Sequence, residues 1–235
     1  MLNRIIDFFI PPILRPSVIY RIMNYILRGK DKFSYEKNSF KRQSFINRAI
    51  KKFPNCNYLE IGVADDAVFN TIPLRIGNKI GVDPMEGGTH RMTSDKFFEI
   101  NKKKFDVIFI DGLHEYEQCQ KDCINSLEYL NNNGVILFHD FLPKNYLEEK
   151  VPRSRFSIAW SGNVWKVAVE LMHSKNIDFK IVNIDRGIGI LKPKNNYEYI
   201  KLDKLKNQDF KNFINEYYKD LPIIDCDQGF DFIDK

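Results

Sequence analysis

Residues 105–140, FDVIFIDGLHEYEQCQKDCINSLEYLNNNGVILFHD, hold two apolar runs with a helical period between them. FDVIFIDG (105–112) and GVILFHD (134–140) are continuous rather than alternating in hydropathy, the mark of strands buried on both faces. Between them Tyr116, Cys119, Cys123, Leu127 and Leu130 recur at spacings of three and four, which predicts a helix over 114–131. Asn131 to Gly134 supplies its stop. A strand, a crossover helix and a second strand make a parallel pair, because parallel strands cannot be joined by a tight turn.

The same alternation extends outward. NYLEIGV (57–63) and KIGVDP (79–84) are two earlier short strands, each ending in Gly or an acid. Downstream come a polar loop with Pro143 and Pro152, a helix near 163–175, and the runs FKIVNI (179–184) and GIGIL (187–191). Asp185, Arg186 and Gly187 between those runs suit a tight antiparallel hairpin. The fold class expected is α/β, a doubly wound, mostly parallel Rossmann-like sheet ending in an antiparallel hairpin. It occupies residues 53–192, with a basic amphipathic helical extension at 1–52 before it. Residues 193–235 alternate Lys, Asn and aromatics without period and are expected to form a surface extension.

At 235 residues, 43% hydrophobic and 14% aromatic, the chain can bury a core, which excludes wholesale disorder. It has no apolar run long enough for a transmembrane helix. The net charge of +5 is uneven: residues 1–56 hold 12 Lys/Arg against 3 Asp/Glu, while 57–235 hold 24 against 28. A basic tail on an acidic body argues against a nucleic-acid enzyme, whose positive field should surround its cleft. Cys56, Cys119, Cys123 and Cys226 show no CxxC or paired framework and are expected to be buried, reduced thiols of a cytoplasmic protein.

Residues 1–30, MLNRIIDFFIPPILRPSVIYRIMNYILRGK, are interrupted by Asp7, Pro11 and Pro12 and do not read as a signal peptide. The prolines permit a short helix before them and a second over about 17–28, with Val18, Ile19, Ile22, Ile26 and Leu27 near one face and Arg21 and Arg28 off it. Two readings compete. One is a cap over a sheet edge or a contact in a homo-oligomer; the other is an anchor at the inner membrane surface.

In doubly wound sheets ligands bind at the carboxyl ends of the strands, so the strand-ending residues are the ones to inspect. Glu60 and Gly62 end the first run, and Gly62 permits a close backbone approach. Asp83 ends the second, placed to accept hydrogen bonds from ribose hydroxyls or to cap the turn before Pro84. Asp111 ends the third, with His114 three residues on, and His139 and Asp140 end the fourth. These four can converge at one sheet edge, and carboxylates with an imidazole suit a divalent ion such as Mg²⁺ or Mn²⁺.

YLEIGVADDA (58–67), IGVDP (80–84), MTSDKFF (92–98), FDVIFIDGLHEY (105–116) and GVILFHDFLP (134–143) resemble, in order and spacing, the class I S-adenosylmethionine-dependent methyltransferases. Within these the small sugar-modifying O-methyltransferases are most similar, and GNVWK (162–166) and DRGIGIL (185–191) look like their downstream elements. The resemblance spans about residues 55–192. It implies that Glu60 and Gly62 line the methionine end of S-adenosylmethionine and that Asp83 holds the ribose. Ser94 and Asp95 would lie beside the adenine, with Ala64 and Asp111 completing the set. Ala64 and Asp66 stand where that group often has glycine, and Asp tolerates left-handed backbone at modest cost.

A sugar hydroxyl must lose its proton as it attacks the methyl sulfonium. A metal lowers the hydroxyl pKa and a neutral His accepts the proton. The expectation is therefore His114 as base, with His139 also catalytic, and Asp111, His139 and Asp140 as metal ligands. Trp160 and Trp165 could stack on a sugar or pack their loop down. Lys166, Arg153 and Arg155 could bind a phosphate of a nucleotide-sugar acceptor. The function expected is O-methylation of a sugar or glycan hydroxyl in capsular or other surface polysaccharide biosynthesis. Methylation of another small acceptor, or a non-catalytic membrane-associated scaffold, are the alternatives.

Overall fold

The computed structural model describes residues 16–235, with side chains from Tyr20 onward. The helix expected before Pro11 lies outside the described residues. The sheet has seven strands: β1 Tyr58–Ile61, β2 Lys79–Val82, β3 Phe105–Ile110, β4 Leu130–Phe138, β5 Lys175–Val182, β6 Ile188–Glu198 and β7 Ile223–Ile224. Their order is β2-β1-β3-β4-β6-β5-β7. The pairs among β1 to β4 are parallel, and β6 pairs antiparallel with both β4 and β5. The expected sheet and its closing hairpin are thus the observed ones. Asp185, Arg186 and Gly187 all take positive φ in the hairpin turn. Strand order reverses between β1 and β3, which is where this architecture opens a crevice.

The α-helices longer than four residues are, among the described residues, α1 Pro16–Arg28, α2 Arg42–Ile50, α3 Ser94–Ile100, α4 Tyr116–Glu128, α5 Trp165–His173 and α6 Cys226–Asp234. Strand side chains alternate between two cores. Leu59, Ile61, Ile108, Ile110, Ile136 and Phe138 face α3, α4 and α5. Tyr58, Val107, Phe109, Val135 and Leu137 face α2 and α6. Glu60 falls on this second face by the two-residue period of its strand. All four cysteines are buried and unpaired, as expected.

The two ends of the chain are built more deeply into the fold than their composition suggested. Residues 193–235 are no mere surface extension: Leu205, Phe210, Phe213 and Leu221 join one core, Cys226 and Ile233 the other, and β7 extends the sheet beside β5. A capping box holds α6, with the Asp225 carboxylate accepting from the Gln228 amide and the Gln228 side chain accepting from the Asp225 N–H. Within the 1–52 extension, α2 is a core helix whose Phe45, Ile46, Ala49 and Ile50 are buried. Its N-terminus finds no cap in Lys41. Instead the Arg42 N–H donates to Asp185 Oδ2 at 3.2 Å, from the hairpin turn.

Candidate functional site

The carboxyl ends of β1 to β4 present Gly62, Asp83, Asp111 and His139 to one edge of the sheet. Two cavities open there. One, of about 430 Å³, lies toward α3 and α4 and is lined by Asp83, Ser94, Asp95 and Gln118. The other, of about 420 Å³, lies toward α2 and is lined by Arg42, Glu60, His139, Asp140, Asp185 and Arg186. Gly62, Ala64, Asp111 and His114 belong to both.

Gly62 has φ 84°, and a Cβ there would stand 2.2 Å from the Asp111 carbonyl oxygen, so β1 and β3 close on each other only through glycine. Asp83 is a loop organiser. Its Oδ2 accepts from the Ala64 N–H at 3.0 Å and its Oδ1 from the Met85 and Glu86 N–H groups. The turn-capping reading of Asp83 is thus the observed one, and the same carboxylate lines the α3-side cavity. Ser94 and Asp95 open α3, capped by Thr93. The Gln118 amide nitrogen donates to Ser94 Oγ, Asp95 Oδ1 and Asp122 Oδ1 at 2.9–3.1 Å, a bridge that sequence reading missed. Burial pushes the Asp122 carboxyl up to about 6.

Asp66, the departure from the methyltransferase pattern, takes φ 63° and turns away from both cavities. Its Oδ1 accepts from the Gly88 N–H at 2.7 Å and ties down the 87–88 turn. Glu60 lines the α2-side cavity and not the larger one. Its Oε2 accepts from the Tyr58 hydroxyl at 2.7 Å, and burial pushes its carboxyl up to about 8.

The expected convergence of Asp111, His114, His139 and Asp140 is present. His139 Nδ1 lies 3.1 Å from Asp111 Oδ1 and 3.0 Å from Asp140 Oδ2, while His114 Nδ1 lies 3.2 Å from Asp140 Oδ2. Sequence reading missed the two residues that frame it. Arg42 Nη1 donates to Asp111 Oδ2 at 2.6 Å, and Arg42 Nε donates to Asp185 Oδ2 at 3.0 Å. Arg186 Nη1 stands 3.7 Å from Asp140 Oδ1. Three carboxylates thus face two guanidinium groups and two imidazoles. Burial alone would lower His139, but Asp140 and Asp111 hold it well above the usual imidazole range. Burial alone would raise Asp111, but His139 and Arg42 hold it well below the carboxylate range. His139 is buried against Asp111 and Asp140, whereas His114 lies on the wall of both cavities, which separates the two rings in access to a ligand.

Asp140 carries two signs of function. It takes φ 68°, uncommon for a residue with a Cβ, and both its carboxylate oxygens are buried with no well-aligned hydrogen bond among the described residues, only the ion-pair contacts to His139, His114 and Arg186. One atom each from Asp111, His139 and Asp140 lies within 4.8 Å of the others. Buried carboxylate oxygens with poorly aligned partners beside a second carboxylate are a donor set that fits a divalent cation.

His114 is seated by the 150–163 loop. Its ring stacks on Trp160 with centroids 5.0 Å apart, and its Nδ1 donates to the Trp160 carbonyl at 2.9 Å. Gly162 at φ 64° lets that loop approach, since a Cβ there would collide with the His114 carbonyl. Trp165 is fully buried in the core with its Nε1 donating to Glu149, so it stacks on no ligand. Lys166 is also buried and donates to the Lys206 carbonyl, which removes it from the phosphate-binding set. Arg153 lies over the Trp160 ring at 5.7 Å.

Residues 76–141 match a family model described as a methyltransferase domain, in agreement with the enzyme class expected from the sequence. No curated protein matches the chain. Solved structures similar to it include a caffeoyl-CoA O-methyltransferase candidate from Staphylococcus aureus, 17% identical over 68% of this chain and 86% of that one, with a TM-score of 0.49. An O-methyltransferase from Bacillus cereus in complex with SAH is 12% identical over 82% and 96%, with a TM-score of 0.46. The mycinamycin-pathway methyltransferase MycE, in complex with Mg, SAH and mycinamycin VI, is 13% identical over 63% and 48%, with a TM-score of 0.40.

Proposed function

We propose that this chain is an S-adenosylmethionine-dependent O-methyltransferase acting in the cytoplasm on a hydroxyl of a sugar or glycan, in surface polysaccharide biosynthesis. The observation that carries this reading is the pair of cavities joined at Gly62, Asp111 and His114. The α3-side cavity takes the cofactor, with Asp83 at the ribose and Ser94 and Asp95 beside the adenine. The α2-side cavity takes the acceptor. Its walls are mostly charged and polar, which suits a polyhydroxylated acceptor better than a flat apolar one.

His114 stands where the two cavities meet. With Nδ1 committed to the Trp160 carbonyl, the neutral ring keeps its lone pair on Nε2. The acceptor hydroxyl gives its proton to that nitrogen as its oxygen bonds to the methyl carbon. The carbon–sulfur bond breaks, and a methyl ether and S-adenosylhomocysteine are left. Trp160 fixes the plane of the imidazole by stacking, and Arg42 holds Asp111 between the two cavities. Asp111, His139 and Asp140 would hold a divalent cation, which supplies acidification of the acceptor hydroxyl when bound. His139 must shed its proton to act as a ligand there.

Calorimetric titration with S-adenosylhomocysteine, paired with transfer of labelled methyl to a panel of sugars, tests this reading. Micromolar binding is expected, and His114→Ala should lower turnover on the order of 10²–10⁴-fold while leaving that binding in place. Absence of cofactor binding would overturn the enzyme reading. Full turnover in His114→Ala would overturn the base.

A further inference from the structure

We propose that the outward face of α1 is a docking surface for an anionic lipid bilayer. The helix is packed the wrong way round for a cap over a core. Its inward face buries a polar residue, Asn24, whose amide donates to the Phe156 carbonyl, and Tyr20 donates its hydroxyl to the Ser157 carbonyl at 3.0 Å. Its outward face exposes Ile22, Tyr25 and Ile26 at 53%, 75% and 63%, at the i, i+3, i+4 spacing of one helical stripe. On the segments against which α1 packs, Ile158 and Tyr146 are also exposed, at 58% and 44%. Scattered exposed apolar side chains need no explanation, but a stripe that stays exposed while Asn24 is buried beside half-buried Met23 and Leu27 does.

Charge selects the occupant. α1 contains Arg21 and Arg28 and no acid, Lys30 and Lys32 follow it exposed on either side of Asp31, which pairs with Arg28 and Lys144, and residues 1–56 carry a net +9 against −4 for the rest. A basic rim around an apolar stripe with an interfacial tyrosine matches an anionic headgroup layer over acyl chains. A second copy of this chain would set the same cations against each other across a twofold axis, which opposes self-association. Among the described residues no helix is long and apolar enough to cross a membrane, so the contact is one that lies on the surface. The inward face of α1 grips the loop that carries Trp160 to His114. Docking would therefore bring the loop that seats His114 close to the bilayer. The docking proposal itself does not depend on which acceptor is methylated.

Co-sedimentation of the full chain with vesicles tests it, comparing phosphatidylglycerol-containing with pure phosphatidylcholine vesicles. The wild type should pellet with the anionic vesicles and at least about tenfold less with the neutral ones, and added salt should release it. The Ile22→Ser/Tyr25→Ser/Ile26→Ser variant should lose the binding and keep the wild-type melting temperature. Arg21→Glu/Lys30→Glu, which leaves the stripe whole, should weaken it as well. Failure of the wild type to pellet, or undiminished pelleting of the triple variant, overturns the proposal. A wild-type dimer that the triple variant converts to monomer, without vesicle binding, assigns the stripe to a second copy instead. S-adenosylhomocysteine binding, measured on the same samples, reports separately on the methyltransferase reading.

Discussion

The two cavities at the sheet edge differ in how the chain builds them. The α3-side cavity is assembled from residues that end consecutive strands or begin the next helix, Gly62, Asp83, Ser94 and Asp111, over some fifty residues of chain. The α2-side cavity gathers Arg42, His139 and Asp185 from three distant segments, with Arg42 and Asp185 separated by 143 positions. The first is made by backbone turns and hydrogen-bonded carboxylates, the second by mutual compensation of buried charge. A cavity made by turns keeps its form when one side chain changes. A cavity made by charge balance depends on every member.

The largest expected effect tests that dependence. Arg42→Met removes the cation between Asp111 and Asp185, whose side chains are 13% and 10% exposed. Breaking one partner out of a buried ion-pair cluster costs about 3–5 kcal/mol, and the partial exposure of Arg42 places this case near the lower end. Urea denaturation should show that loss, whereas S-adenosylhomocysteine affinity should stay within about threefold, under 1 kcal/mol. A parallel collapse of cofactor binding would show the two cavities to be one cooperative unit.

Legibility in the sequence follows the same division. The four parallel strands, the hairpin and the strand-end residues could be read because continuous apolar runs and local spacing report them directly. Arg42 could not. It lies in a basic stretch with nothing to distinguish it from Lys41 or Arg48, and its role appears only when the hairpin turn folds back onto α2. Asp185 and Arg186 were legible only as turn formers. The C-terminal segment was misread although a signal was present: Phe210, Phe213, Tyr217 and Leu221 recur at the three- and four-residue spacing of a helix and share a core, on turns of changing pitch over residues 210–220. The Asp225–Gln228 pair was a usable helix-start signal there. On α1 the apolar stripe was legible, but its outward direction was not.

A second test compares the cavities by pH. A carboxyl whose pKa is raised on folding binds its proton more tightly in the folded chain, so it favours folding while protonated and that contribution is lost as pH rises. For Glu60 the loss runs from about 4.5 to about 8, and for Asp122 from about 3.8 to about 6. Glu60→Gln should therefore flatten the fall of stability across neutral pH, and Asp122→Asn should flatten only its acidic part. Chemical denaturation at half-unit pH steps resolves the two windows. An Asp122→Asn profile that changes above pH 7 would mean that the two acids titrate together.

The smallest expected effect concerns Asp66, the residue at which this chain departs most from the methyltransferase pattern. If its carboxylate faced the cofactor, repulsion of the methionine carboxylate would weaken binding, and glycine would relieve it. The side chain instead accepts from Gly88, outside both cavities. Asp66→Gly gives up that hydrogen bond, a net loss of about 0.5–1.5 kcal/mol. It gains relief of a φ of 63°, of order 1 kcal/mol. It also adds freedom to the unfolded chain, at a cost of about 0.4–1 kcal/mol. The sum is a loss of stability of about 0–1.5 kcal/mol, with S-adenosylhomocysteine affinity unchanged within about threefold. A tenfold tightening would place the Asp66 charge at the cofactor and make the α3-side cavity, like its neighbour, a site governed by charge balance.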